Sequence, residues 1–123
     1  AAFDGEGYLY VSDYLNFRIQ VFDEAGDLDL VFGAAGVRPG DLIRPRGLAA
    51  DAANGVLYVV DGAFQLVQMF NLDGELLMWF GVPGQGPGQF SLPSGVALRG
   101  DLLVVGDTLN HRLQLFRFLG VPE

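Results

Sequence analysis

Asp13, Asn16 and Arg18 recur with the same spacing as Asp107, Asn110 and Arg112. A carboxylate, an amide and a guanidinium held this close can serve a ligand or a catalytic step. They can equally close a hairpin, with the Asp and Asn side chains capping the turn and the arginine pairing across it. Recurrence at one register favours the hairpin, since a ligand site rarely needs one copy per structural unit. His111 is the only histidine. It has the chemistry of a general base or metal ligand, but Phe17 and Gln65 hold the matching positions, so a ring filling a turn or strand start explains it equally well. With no second histidine, a three-histidine zinc site cannot come from this chain alone. Gly84-Gln85-Gly86-Pro87-Gly88 resembles a phosphate loop only superficially. Such loops open a helix, here a strand follows, and the proline lacks an N–H to offer a phosphate. Arg38, Arg44 and Arg46 form the only local basic cluster, for which salt bridges to Asp41, Asp51 or neighbouring acids are favoured over a partner site.

The elements that position these residues follow from a repeat of 48 residues. Leu9-Tyr10-Val11-Ser12-Asp13 returns as Leu57-Tyr58-Val59-Val60-Asp61 and, two residues early, as Leu103-Val104-Val105-Gly106-Asp107. Nine residues after each aspartate stands a phenylalanine: Phe22, Phe70 and Phe116. Pro45-Arg46-Gly47-Leu48-Ala49 returns as Pro93-Ser94-Gly95-Val96-Ala97, and Ala1-Ala2 aligns with Ala49-Ala50. The repeat units run approximately over residues 1–45, 46–93 and 94–123. In the complete middle unit the pattern predicts four strands, over 46–51, 56–60, 65–70 and 75–80. Asn54-Gly55, Asp61-Gly62 and Asp73-Gly74 supply the positive φ that the intervening turns need. Val56-Leu57-Tyr58-Val59-Val60 is apolar on both faces and must be covered on both. Phe22, Phe32, Phe70, Phe80, Phe116 and Trp79 read as packing between sheets. The fold class is therefore all-β: β-propeller blades of four antiparallel strands, forming less than a full ring. An open arc exposes one apolar sheet face at each end.

Composition narrows the partners. The 123 residues carry a net charge of −8, and all seven basic residues are arginine. An acidic domain repels phosphate backbones, which argues against nucleic acid. No apolar stretch approaches the ~18 residues of a membrane span, so a soluble chain is expected. Ala1-Ala2-Phe3-Asp4 shows no targeting segment, and the compartment stays open. The absence of cysteine excludes disulfides and thiolate metal sites.

The ten-residue segments starting at Asp13 and Asp107, with Gly88-Gln89-Phe90-Ser91-Leu92-Pro93-Ser94-Gly95-Val96-Ala97, resemble the NHL-repeat β-propellers. They look like that family's D-x-x-N-x-R-[IL]-Q-x-F and G-Q-F-x-x-P-x-G-[IV]-A signatures, and the likeness spans essentially the whole chain. The middle unit departs from it, with Phe64 for the asparagine and Leu66 for the arginine. The resemblance implies a ring of about six blades, within the general range of ~4 to 8. It also implies a non-catalytic binding or assembly scaffold that offers one rim to a protein or other macromolecular partner, with the open arc completed by further blades, from self-association or from the rest of a larger chain. Segments 14–17, 62–65 and 108–111 would share that rim with the first inter-blade loop. Its candidate contacts are Tyr14, Phe64, His111, Arg38, Arg44 and Arg46. The alternative implied by the resemblance is a fragment of a six-bladed enzyme, a lyase or calcium-dependent lactonase, to which Asp61, Asp107, Arg46 or His111 would contribute. No cofactor is expected under the first reading, and calcium is possible only under the second.

Overall fold

The computed structural model describes residues 1–120. The last three residues of the third repeat unit lie outside the described residues. The chain is all-β. Its first sheet contains β1 (Ala2–Phe3), β2 (Leu9–Asp13), β3 (Arg18–Phe22) and β4 (Leu28–Phe32), hydrogen-bonded in chain order. The second contains β5 (Pro45–Asp51), β6 (Val56–Asp61), β7 (Leu66–Asn71) and β8 (Leu76–Phe80), again in order. A short parallel pair, β9 (Val82–Pro83) with β10 (Gln89–Phe90), ties down the ends of the glycine-rich connection. The third sheet has three strands among the described residues, β11 (Pro93–Arg99), β12 (Leu102–Asp107) and β13 (Arg112–Arg117). The long sheets are antiparallel throughout. They stand side by side as blades, and they do not close into a ring.

Burial explains the sequence pattern. Every residue of β6 is buried. Leu57, Val59 and Phe70 face the first sheet, where they pack with Tyr10, Ile19 and Val21. Val56, Tyr58, Val60, Val67 and Met69 face the third, where they meet Leu103 and Val105. The strands of the third sheet alternate instead, because only one of its faces is covered. Backbones of neighbouring sheets come closest at their inner strands, where β5 lies between β1 and β2 on one side and β11 on the other. Gly47 marks that approach: a Cβ there would strike the Ser94 carbonyl oxygen, whereas its repeat mate Gly95 has open space around it.

Several local expectations need correction. The middle strands are displaced by a residue or so from the predicted bounds, since β5 begins at Pro45 and β6 runs through Asp61. The turn after Asp61 does not use Gly62 for its positive φ; Gln65 adopts it, at 58°. Phe17 and His111 do the same at 57° and 55°. The three matched positions thus share one backbone role, the left-handed residue that ends the turn and starts the next strand. Ala1-Ala2 does not stand on Ala49-Ala50. Ala2 pairs with Tyr10 as Ala49 pairs with Tyr58, and Phe3 pairs with Leu9 as Ala50 pairs with Leu57. The first hairpin is shorter by one residue, closed by Asp4, whose Oδ1 accepts the N–H groups of Glu6 and Tyr8 at 2.8 and 3.2 Å. Burial beside Asp4 pushes the Tyr10 hydroxyl up to about 12. Trp79 is not a core residue. It is 48% exposed, on the face of β8 in register with Gln68 and Val59, where Val37, Arg38 and Pro39 of the first connection line a shallow cleft beside it.

Candidate functional site

An aspartate ends the second strand of each sheet, and those of the second and third sheets gather donors both from their hairpin and from the connection before it. In the third sheet Asp107 is fully buried. Its Oδ2 accepts from Arg112 Nε at 2.8 Å, Asn110 Nδ2 at 2.9 Å and Gln114 Nε2 at 3.0 Å. Its Oδ1 accepts the Ser91 N–H at 2.7 Å, from the connection between sheets. Burial alone would raise this carboxyl, but the Ser91 amide and the three side-chain donors outweigh it and hold it down at about 2. Arg112 also donates to the Gly86 and Gln89 carbonyls, and Asn110 to that of Gly84. The set clamps the glycine-rich connection onto the hairpin.

Asp13 has the same side-chain donors: Asn16 at 3.0 Å, Arg18 Nε at 2.9 Å and Gln20 at 3.1 Å. The asparagine bonds, then the arginine, hold its carboxyl below the ordinary range. It is 24% exposed, with no connecting loop above it among the described residues. Asp61, lacking both the Asn and the Arg, is nevertheless fully buried. Four backbone N–H groups take their place. Ile43 donates to Oδ2 at 3.0 Å, while Arg44, Ala63 and Phe64 donate to Oδ1 at 3.0–3.2 Å. Ile43 is the repeat mate of Ser91, so the inter-sheet lock survives where the ion pair does not. Sequence reasoning saw only the missing asparagine and arginine.

These carboxylates spend both oxygens on internal donors. Among the described residues no buried side-chain polar atom lacks a partner, and no cluster of three or more His, Asp or Glu gathers at metal-binding distance. Such groups fix loops; they leave no free lone pair aimed at a ligand.

The rim candidates divide differently. The turns at 14–16 and 108–110 are single 3-10 turns, so Tyr14 and His111 sit exposed at the end of their sheets. Arg46 is the second residue of β5, at the irregularity between Pro45 and Gly47 beside the Asp61 turn, with its backbone carbonyl accepting Ser12 Oγ at 3.1 Å. Its side chain and that of Arg44 are exposed, and neither has an acidic partner within 4.0 Å among the described residues. Arg38 does: its Nε lies 3.4 Å from Asp41. Arg38 and Phe64 come together in a shallow cleft of about 150 Å³, with Val37, Pro39 and Trp79. Arg46 does not enter that cleft but stands beside Gly62 on the same edge.

Two features escaped the sequence reading. Gln68 is buried and accepts the Gly40 N–H while donating to the Asp41 carbonyl, both at 2.9 Å. Gln20, Gln68 and Gln114 share one register, and that recurrence was the signal for them. The second is an apolar cavity of about 450 Å³ between the second and third sheets, lined by Met69, Met78, Phe80, Phe116 and Phe118. It lies where the third sheet lacks a fourth described strand. No helix among the described residues is long and apolar enough to cross a membrane. Compared with known proteins, the chain matches no family model and no curated sequence.

Proposed function

We propose that the chain is an arc of an NHL-like propeller and a non-catalytic binding scaffold whose rim takes a protein partner through an acidic segment. The observation that carries this reading is the pair Arg44 and Arg46. They are exposed guanidiniums on the hairpin-turn edge of an acidic chain, with no internal carboxylate within 4.0 Å among the described residues. Guanidinium forks recognise carboxylates in a bidentate way. The backbone beneath them is rigid, because the Arg44 N–H is held by Asp61. Tyr14, Phe64 and His111 give the same edge aromatic surface. The Asp–Asn–Arg sets are occupied internally and support a structural role, so the enzyme reading gains nothing from them.

The test uses a fluorescent oligoglutamate peptide and its anisotropy. The R44A/R46A variant should bind roughly tenfold more weakly, as two solvent-exposed charge pairs would contribute. Its melting temperature should stay that of the parent, since exposed substitutions typically cost under about 0.5 kcal/mol. Equal affinity in both proteins, or binding to an RNA oligonucleotide but not to the peptide, overturns the proposal.

A further inference from the structure

Each sheet has two kinds of face. On the second sheet one kind carries Leu57, Val59 and Phe70 and is closed by the first sheet. The other carries Val56, Tyr58, Val67 and Met69 and is closed by the third. The repeat places a copy of the first kind on the outward side of the first sheet, as Leu9, Val11 and Phe22. Phe3 joins that row beside Leu9 and is 71% exposed. It places a copy of the second kind on the outward side of the third sheet, as Leu102, Val104, Leu113 and Leu115. There Leu113 is 68% and Leu115 62% exposed. The molecule therefore presents at one end the kind of face that its other end buries against.

We propose that a second copy of this chain covers these faces head to tail, the third sheet of each copy lying on the first sheet of the other. Three observations select that occupant. The contact continues an interface already made twice within the chain, by residues at the same repeat positions, so it needs no new packing solution. The charges are complementary: residues 1–30 hold seven acids against one arginine, while residues 94–120 hold three arginines against two aspartates. Arg99 and Arg117 border the outward patch, in register with Leu102 on either side. Finally, the three blade sheets among the described residues become six in two copies, inside the range of ~4 to 8 blades that closes radially, whereas nine in three copies exceed it. A head-to-tail contact that closes makes a finite ring rather than a filament. This inference is independent of the rim reading.

The test is the mass of the full chain in solution, by light scattering across a dilution series. The wild type should show twice the chain mass. L113K/L115K blocks one face and V11D/F22D the other, and each alone should be monomeric with an unchanged far-ultraviolet spectrum. Mixed in equal amounts they should regain the doubled mass, with one native contact and one contact pairing lysines with aspartates. If V11D/F22D fails to fold, L115K alone, at a site already exposed, should still halve the mass. The rim variant R44A/R46A should leave the mass unchanged, which separates this result from loss of partner binding. A monomeric wild type at all concentrations, a doubled mass for L113K/L115K alone, or growth beyond two copies overturns the proposal.

Discussion

Replacing Phe90 by alanine should destabilise the chain by about 4 kcal/mol, within the ~3–5 expected for deleting a buried aromatic side chain. Phe90 is fully buried although it lies in the connection between sheets. Its ring sits 5.9 Å from that of Phe116 and 6.4 Å from that of Phe80, which themselves lie 4.7 Å apart in a tilted pair. It is the plug between the second and third sheets. Gly81, at φ +103°, lets the chain pass directly over the ring, where any Cβ would collide with it. The cavity left by F90A would adjoin the apolar space already present beside Phe116, so collapse around it has little to draw on. Leu42 occupies the same repeat position between the first and second sheets and is equally buried. L42A should cost about 3 kcal/mol, as a smaller side chain leaves a smaller void. Urea titration followed by tryptophan fluorescence measures both, and F90L should recover more than half of the loss. A shift below about 1 kcal/mol for F90A, typical of a surface change, would show that the connection does not plug the interface.

The pairing of Leu42 with Phe90 shows where the sequence could and could not be read. The strands were legible because apolar runs, glycine turns and a fixed period agreed. A strand apolar on both faces, 56–60, is covered on both in the fold. The plugs were visible only as a repeat coincidence, since a lone apolar residue in a loop has no periodicity to announce burial. Leu76-Leu77-Met78-Trp79-Phe80 is apolar at every position, so it gave no phase, and Trp79 was placed inside when its side chain lies half in solvent. The lock at Asp61 was illegible for a deeper reason. Its donors are backbone amides, which every residue but proline carries and which no letter of the sequence encodes. The shared left-handed turn residue hid behind three unrelated side chains, Phe17, Gln65 and His111, because the constraint there acts on φ. At the rim, local ion pairing was the reading favoured for Arg38, Arg44 and Arg46; the fold pairs Arg38 with Asp41 and gives the other two no acidic neighbour among the described residues.

Asp107→Asn should cost about 3 kcal/mol at neutral pH, the low end of what breaking a buried charged pair costs. The amide keeps the shape but turns an NH2 toward donors. Four groups converge on this side chain, from Ser91, Asn110, Arg112 and Gln114, and a carboxamide has one acceptor oxygen to meet them. Arg112 keeps its bonds to the Gly86 and Gln89 carbonyls, which is why the loss stays at the low end. The pH dependence follows with a definite sign. The folded-state value of Asp107, about 2, lies below its ordinary 3.8. The folded form therefore binds the proton more weakly than the unfolded form. The stabilisation, about 2 kcal/mol, is fully present above about pH 4 and is lost as the pH falls from the unfolded value through the folded one. The parent chain should accordingly show a steep acid limb between about pH 4 and 2, and D107N a shallower one that approaches it at the acid end. Asp13→Asn provides the contrast, since its carboxylate shares the same side-chain donors but is partly in solvent and should cost clearly less than Asp107→Asn. Urea midpoints measured at pH 7, 4 and 2.5 distinguish the two sites. Equal losses for D13N and D107N, or a D107N penalty that grows toward low pH, would contradict the assignment of Asp107 as the charged lock between the hairpin and the connection.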